Sequence, residues 1–169
     1  MSKHSLDPKL SGFIHNLRAA LPYLEEFDQQ TFVIYLSGGL IEVQNSRVIE
    51  DLALLQQVGI RIILVHGAEF QIRNLYTNQA LDYHTENGVF VVEEKNMPII
   101  EQAVSSANWK LLSRLRNCAH QLQAFTGHFL LAEKKNFSDN YNSHFTGSVC
   151  GTDLETLRQA VSDSKIAII

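Results

Sequence analysis

The stretch TFVIYLSGGLI, residues Thr31–Ile41, determines the fold class that the sequence predicts. Its apolar run Phe32–Leu36 is typical of a strand buried on both faces of a parallel sheet. Ser37, Gly38 and Gly39 follow, and glycine permits positive φ and a close approach of ligand to backbone. In open α/β sheets, ligands bind beyond the carboxyl ends of the strands. The stretch therefore predicts a ligand loop after the first strand, and a tight turn without a ligand is the alternative.

A second strand with its own loop follows one helix later. Residues 47–57 have the apolar spacing of a helix, and Ile60–Val65 is another apolar strand that ends in His66, Gly67 and Ala68. A strand, helix, strand unit implies a right-handed crossover and a parallel pair, so both loops lie at one sheet edge and can line one crevice. His66 is lone in sequence, and such a histidine is more often structural than catalytic.

Composition restricts the class of protein. The chain has 169 residues, 45% hydrophobic and 19% charged, with a net charge of −4, which suits one globular core. The absence of a basic cluster argues against nucleic acid as a partner, and no apolar run approaches the roughly 20 residues of a membrane span. Cys118 and Cys150 fit no metal or redox spacing and are expected to be buried thiols in a reducing compartment. We expect a cytoplasmic protein without a metal site.

Residues 1–28 are predicted to form an N-terminal helical arm. Leucines and phenylalanines recur at three- and four-residue spacing over residues 6–28, and Ser5 is a candidate N-cap. Pro22 predicts a kink or break, with Tyr23–Phe27 as a second short piece. The helix is either a cover for the core of its own subunit or an arm that packs on another subunit, and its periodicity fits both.

The remainder of the chain alternates further helices and strands. The patterns predict a helix over residues 69–79, a turn at Asn87-Gly88, a strand over Val89–Val92 and a helix from Asn96 to about Leu122. They also predict strands at Phe129–Ala132 and Phe145–Cys150 as the two arms of a hairpin, a helix opened by the capping box Thr152–Glu155, and a last strand from Ile166. An apolar strand at the end of the chain predicts a segment of a longer protein, with the edge of that strand exposed. A natural short chain is the alternative.

Five stretches in order resemble the amino acid kinase family: PYLEEF, TFVIYLSGGLIE, LLQQVGIRIILVHGAEFQI, YHTENGVFVVEEKNM and SHFTGSV. Within that family they are similar to acetylglutamate kinases and to the kinase-like N-terminal domain of N-acetylglutamate synthases. The resemblance implies an α/β fold, a three-layer α/β/α sandwich with a mainly parallel sheet. Residues 29–169 would be the N-terminal part of such a domain, incomplete at the C-terminus.

The departures from the kinase pattern bear on activity. The family's kinases carry a lysine in the first strand where this chain has Tyr35, and a phenol cannot neutralise a transferred phosphoryl group. Their HGGGPQ loop is HGAEFQ here, and Glu69 would repel an anionic substrate. The arginine of their NGxRVT segment, which pairs the substrate carboxylate, corresponds to Phe90. Together these changes predict that the site has no kinase activity.

The resemblance implies a regulatory and assembly role in an N-acetylglutamate synthase. Such a segment has no catalytic residue and no cofactor of its own, while a separate domain of the parent protein uses acetyl-CoA. The implied partners are other copies of the chain, held in a homo-oligomer by the N-terminal helix, and L-arginine as an effector. A functional acetylglutamate kinase and a stand-alone degenerate binding domain are the alternatives. The candidate ligand-binding residues are Tyr23, Ser37, Gly38, Gly39, His66, Gly67 and Ala68.

Overall fold

A computed structural model describes residues 7–44, 47–86, 89–118, 122–134, 145–162 and 166–169. In chain order, its elements are α1 (Pro8–Phe27), β1 (Thr31–Leu36), α2 (Gly38–Glu42), α3 (Val48–Gln57), β2 (Arg61–His66), α4 (Glu69–Asn78), β3 (Thr85–Glu86), β4 (Val89–Phe90), α5 (Met97–Asn117), β5 (Ala124–Thr126), β6 (Leu130–Lys134), β7 (Gly147–Thr152), α6 (Leu154–Ser162) and β8 (Ile166–Ile168). The predicted turn at Asn87-Gly88 and the Ser5 cap lie outside the described residues.

The central sheet is parallel, with strand order β1-β2-β8-β5. The predicted side-by-side pairing of the first two strands is confirmed, from Thr31 opposite Arg61 to Leu36 opposite His66. The prediction that β1 is buried on both faces is wrong: Val33 and Tyr35 are 67% and 68% exposed. β1 is an edge strand of this sheet, and only its alternate face, with Leu36, packs on the core.

The last described strand lies in the interior of the sheet rather than at its edge. β8 lies between β2 and β5, pairing Ala167 with both Ile63 and Phe125, and its three residues are fully buried. The expected exposed edge at this strand is therefore not found. The sequence pattern marked β8 as apolar but carried no information on which strands would flank it.

Helices cover both faces of the sheet and complete three layers. On one face, α3 and α5 pack against β2 through a core that includes Leu52, Ile62, Leu64 and Leu111. On the other face, α6 contributes Leu157 and Val161 to a smaller cluster with Ile63 and Ala167 of the sheet. Successive residues of β2 thus pack into cores on opposite faces of the sheet, because side chains alternate between the two faces along a strand. The predicted sandwich with a mainly parallel sheet is confirmed.

The N-terminal helix is continuous. α1 runs through Pro22 without the predicted break, and its N-cap is Asp7, whose carboxylate accepts a bond from the Lys9 amide at 2.9 Å. Proline removes one backbone bond, but the neighbouring bonds suffice to continue this helix. Its C-terminal end is anchored where Phe27 meets Phe32 edge to face, with ring centroids 5.4 Å apart. Its apolar stripe is exposed: Leu10, Phe13, Leu17 and Leu21.

Two antiparallel hairpins stand outside the central sheet. β3 pairs with β4, and β6 pairs with β7, which confirms the predicted second hairpin. α6 is capped by Asp153 rather than by Thr152, because Thr152 ends β7 and the Asp153 carboxylate accepts the Thr156 amide at 3.1 Å. α5 ends at Asn117, before the predicted Leu122.

The two cysteines differ in their exposure to solvent. Cys118 is half-buried, but Cys150 is exposed, so the expectation of two buried thiols is wrong for the second. Within the described ranges, every helix is too short or too polar to cross a bilayer.

Candidate functional site

The two predicted loops meet at the carboxyl ends of β1 and β2. Leu36 and His66 are the last paired residues of these strands, and the Gly67 amide donates to the Leu36 carbonyl at 3.0 Å. The loops therefore lie side by side, as the parallel pairing predicts. They are also in direct backbone contact, so the first turn of each loop is packed against the other.

Gly38 is required by packing rather than by its dihedral angles. The predicted loop is the start of the short helix α2, with Ser37 as its N-cap, and among the described glycines only Gly59 has positive φ. A Cβ on Gly38 would lie 2.4 Å from the Gln71 Oε1 atom and 2.8 Å from the Gly67 carbonyl oxygen. A Cβ on Gly39 would meet nothing within 4 Å. The space that a ligand was expected to approach at Gly38 is filled by the protein itself.

Gln71 connects the two loops and was missed by the sequence reasoning. This α4 side chain is 8% exposed, and its amide donates to the Gly38 carbonyl at 2.8 Å and to Glu42 Oε1 at 3.0 Å. Glu42 in turn pairs with Lys110 of α5. The Lys110 bond, aided by Gln71, holds the pKa of Glu42 below its usual value. The final glutamine of HGAEFQ, shared with the family's HGGGPQ, was the available signal.

His66 and Tyr35 both lie near the carboxyl ends of β1 and β2, but they differ in their hydrogen bonds and exposure. The His66 ring bonds through Nε2 to the Asn108 Oδ1 atom at 3.1 Å, which gives this lone histidine a structural partner. Tyr35 is largely exposed, and its hydroxyl lies so close to Gly67 that a Cβ there would be 2.6 Å from the oxygen. The phenol oxygen of Tyr35 thus lies against Gly67 of the second loop. Ala68 follows as the N-cap of α4 without a side-chain cap bond.

Tyr23 is separate from these loops. It lies on α1 and is 61% exposed, four residues before the Phe27 anchor. Over the described residues, no hydrogen bond or ring contact joins Tyr23 to the loops. α1 leads into the amino end of β1, whereas the loops lie at its carboxyl end. The structure brings together Ser37, Gly38, Gly39, His66, Gly67 and Ala68 but does not bring Tyr23 to them.

Phe90 belongs to an aromatic cluster next to the second loop. Its ring stacks on Tyr83 with centroids 4.5 Å apart and an interplanar angle of 15°, and it meets Tyr76 edge to face at 5.4 Å. On α4, Arg73 places its guanidinium carbon 4.5 Å from the centre of the Tyr83 ring. Burial raises the pKa of Tyr83, so this ring is neutral at physiological pH. The region has apolar walls in place of an anion clamp.

The described part of the chain also has features that lie away from the two loops. It holds no group of three or more histidine, cysteine, aspartate or glutamate side chains arranged for a metal ion. A cavity of about 930 Å³ opens between α5, β5 and α6, lined by Trp109, Phe125 and Gln159 among others. None of the loop residues lines this cavity, so it is not part of the candidate site.

A parallel α/β sandwich with two contacting loops at one sheet edge is the architecture of an amino acid kinase-like domain. The chain belongs to the amino acid kinase family, whose sequence profile matches residues 30–169. It is 27% identical over 160 residues to an amino-acid acetyltransferase of Pasteurella multocida, a match that covers 92% of this chain and 36% of that protein. An amino-acid acetyltransferase of Pseudomonas putida is 24% identical, with 95% and 39% covered.

Solved structures give the same relationship. N-acetylglutamate synthase from Neisseria gonorrhoeae, complexed with coenzyme A and L-arginine, matches with a TM-score of 0.84 and 25% identity over 93% of this chain and 39% of that one. Its complex with coenzyme A and N-acetyl-glutamate matches with a TM-score of 0.82 and 26% identity. The chain spans less than two-fifths of the length of these relatives.

Proposed function

We propose that this chain is the regulatory and assembly segment of an amino-acid acetyltransferase and carries no catalysis of its own. In this proposal, a separate part of the parent protein transfers the acetyl group of acetyl-CoA to L-glutamate in the cytoplasm. The support is its similarity to amino-acid acetyltransferases along nearly its whole length, together with a kinase-like fold. The proposed role is to bind an effector and to hold subunits together.

Tyr35 is the observation that carries the proposal. Phosphoryl transfer depends on positive charge aimed at the transferred group, and the resemblance places the kinase lysine at this position. Here a neutral phenol projects from β1, and its hydroxyl packs over Gly67 of the second loop. Phe90, at the position of the substrate-binding arginine, is held within the aromatic cluster and offers no hydrogen-bond donor. At these two positions, an acetylglutamate phosphate would lack the counter-charges that the family's kinases supply.

The proposed effector is L-arginine, and the proposed assembly is a homo-oligomer. The Neisseria gonorrhoeae synthase that matches this chain was solved with L-arginine. The exposed stripe of α1 is a surface that a second copy can cover, and Tyr23 follows it on the same helix. These features support an arm that both contacts a neighbour and reaches an effector site formed with the rest of the parent protein.

The test is a phosphoryl-transfer assay on the purified chain with Mg-ATP and acetylglutamate. We expect ADP formation equal to a buffer blank, because the charge that stabilises the transition state is missing. Turnover that scales with protein concentration and disappears in Gly38→Asp, a variant that blocks the contact between the loops, would contradict the proposal. The full-length protein is the positive reference, assayed for acetyl transfer from acetyl-CoA.

A further inference from the structure

A small pocket beside α4 has a lining of aromatic and acidic side chains, and this combination has no part in the proposed function. It measures about 210 Å³ and is lined by Glu69, Ile72, Tyr83 and Phe90. Two of these residues are aromatic rings, one is aliphatic and one is a carboxylate. An apolar wall with a single negative charge suits a compact organic cation, because the ring faces and the carboxylate both attract positive charge.

The chain already places a guanidinium at the edge of this pocket. Arg73 donates to Glu69 Oε1 from Nε at 2.9 Å and from a terminal nitrogen at 2.6 Å, while its Cζ lies 4.5 Å from the centre of the Tyr83 ring. The Tyr83 hydroxyl donates to the same Glu69 oxygen at 3.4 Å. All three of these bonds end on the Oε1 atom of Glu69. The carboxylate and ring therefore recognise a guanidinium, and one carboxylate oxygen remains for another donor.

The geometry points to a binding site for a small organic cation with a guanidinium or ammonium head, with Glu69 as its counter-ion and Tyr83 and Phe90 as its wall. This site is distinct from the effector site proposed above, because Tyr23 takes no part in it. It also reverses the charge preference that the kinase resemblance assigns to the same region, where the arginine counterpart of Phe90 would bind an anion.

Arg73 acts as an internal competitor for the ligand. It is four residues from Glu69 on the same helix, and the two side chains are 57% and 67% exposed. Exposed pairs at this spacing are weak, so a soluble cation can displace the arginine at little cost. Removing the arginine side chain should therefore strengthen ligand binding, which distinguishes a competitor from a residue that forms the site.

The experiment titrates the purified chain with n-butylguanidinium and, separately, with n-butylurea, its neutral counterpart of similar shape. Binding is followed by amide chemical shifts and by calorimetry. We expect n-butylguanidinium to bind in the millimolar range, with shifts centred on Glu69–Arg73 and Phe90, and n-butylurea to bind at least ten-fold more weakly. Arg73→Met should tighten binding about three-fold, and Glu69→Gln should weaken it at least ten-fold. Both changes are on the surface and leave the core intact.

Matched variants on other helices provide the controls. Glu50→Gln on α3 and Arg158→Met on α6 remove the same charges from exposed positions away from the pocket and should leave the affinity unchanged. Equal affinity for the urea and the guanidinium, or binding that survives Glu69→Gln, would overturn the proposal. So would the absence of binding to both the wild-type chain and Arg73→Met. None of these outcomes affects the phosphoryl-transfer assay, so the two proposals fail separately.

Discussion

The side-chain amide of Gln71 donates a hydrogen bond to the carbonyl of Gly38 across 2.8 Å, and this bond joins the second loop to the first. The same amide reaches Glu42, so one nearly buried side chain fixes both ends of α2 relative to α4. The loops are therefore held in contact by the protein itself. A domain built in this way holds its two loops in a fixed arrangement before any ligand binds.

Replacing Gln71 with leucine should destabilise the fold. The change removes the Gln71 bonds to the Gly38 carbonyl and to the Glu42 carboxylate, and the loss of buried bonds of this kind costs about 1–3 kcal/mol. Urea unfolding should show a lower midpoint with an unchanged slope. Gln102→Leu, at an exposed position of α5, is the control and should stay within about 0.5 kcal/mol of the wild type. Equal midpoints for the two variants would mean that the bond contributes nothing.

Gly38 and Gly39 should respond oppositely to alanine. A Cβ on Gly38 meets the backbone oxygen of Gly67 at 2.8 Å, and overpacking of this kind costs about 1–3 kcal/mol. Gly39 lies in α2 with open space around it, so alanine there should stabilise by about 0.5–1 kcal/mol. Thermal unfolding of the two variants measures both effects. A loss of stability in Gly39→Ala as large as that in Gly38→Ala would contradict the assignment of the Gly38 cost to its contact with Gly67.

The Glu42–Lys110 pair should make stability depend on acid pH. Because Lys110 and Gln71 lower the folded-state pKa of Glu42 beneath its ordinary value of 4.5, the pair stabilises the fold above that pH and is lost as pH falls through the lower folded value. Glu42→Gln should therefore be less stable than the wild type at pH 7, with the difference shrinking below about pH 4.5. Denaturant titrations from pH 7 to pH 3 measure this, and Glu25→Gln on α1 is the control. A difference that does not change with pH would contradict the assignment.

The exposed stripe of α1 should be an assembly surface. Phe13 is 62% exposed at its centre, and packing against a second copy would remove this apolar area from water. Deleting residues 1–21 should lower the number of chains per particle in light scattering without unfolding the rest. Phe13→Asp should do the same, whereas His15→Asp, about 200° around the helix, should not. An unchanged number of chains per particle after the deletion would contradict the assembly role of α1.

Tyr23 should affect effector binding more than assembly. Its ring is 61% exposed on α1, and an exposed aromatic ring with a hydroxyl suits a site shared with the rest of the parent protein. In that full-length protein, Tyr23→Ala should weaken L-arginine binding on the order of ten-fold by calorimetry, a typical loss for an aromatic contact residue. Tyr23→Phe separates the ring from the hydroxyl. If Tyr23→Ala binds arginine as the wild type does, the residue has no effector role.

The sequence predicted the parallel pair and its loops because those features are local. Apolar runs at Phe32–Leu36 and Ile60–Val65, separated by a helical pattern, leave few alternatives once the handedness of crossovers is considered. The kinase-like fold followed from the same stretches. What the pattern did not contain was sheet position: an apolar run is the same in an edge strand as in a central one. This is why β1 was expected to be buried on both faces.

The polar connections of the site were harder to predict. Gln71 reaches Gly38 and Lys110 reaches Glu42, and both pairs are distant in sequence, so no short window contains both partners. β5 was missed because a three-residue strand such as Ala124–Thr126 shows too little alternation to be recognised. The role of Phe90 was predicted only as a lost arginine, since its stack on Tyr83 depends on the hairpin that follows α4.

The position of β8 imposes an order of events during synthesis. Ala167 pairs with Ile63, about a hundred positions earlier in the chain, and such distant pairings slow folding. Between the synthesis of β5 and that of β8, the facing edges of β2 and β5 are complete but unpaired, with a gap between them. Open strand edges and bare apolar faces favour association with other chains. The nascent protein therefore spends this interval with its sheet open at the centre, which is when association with other chains is most favoured.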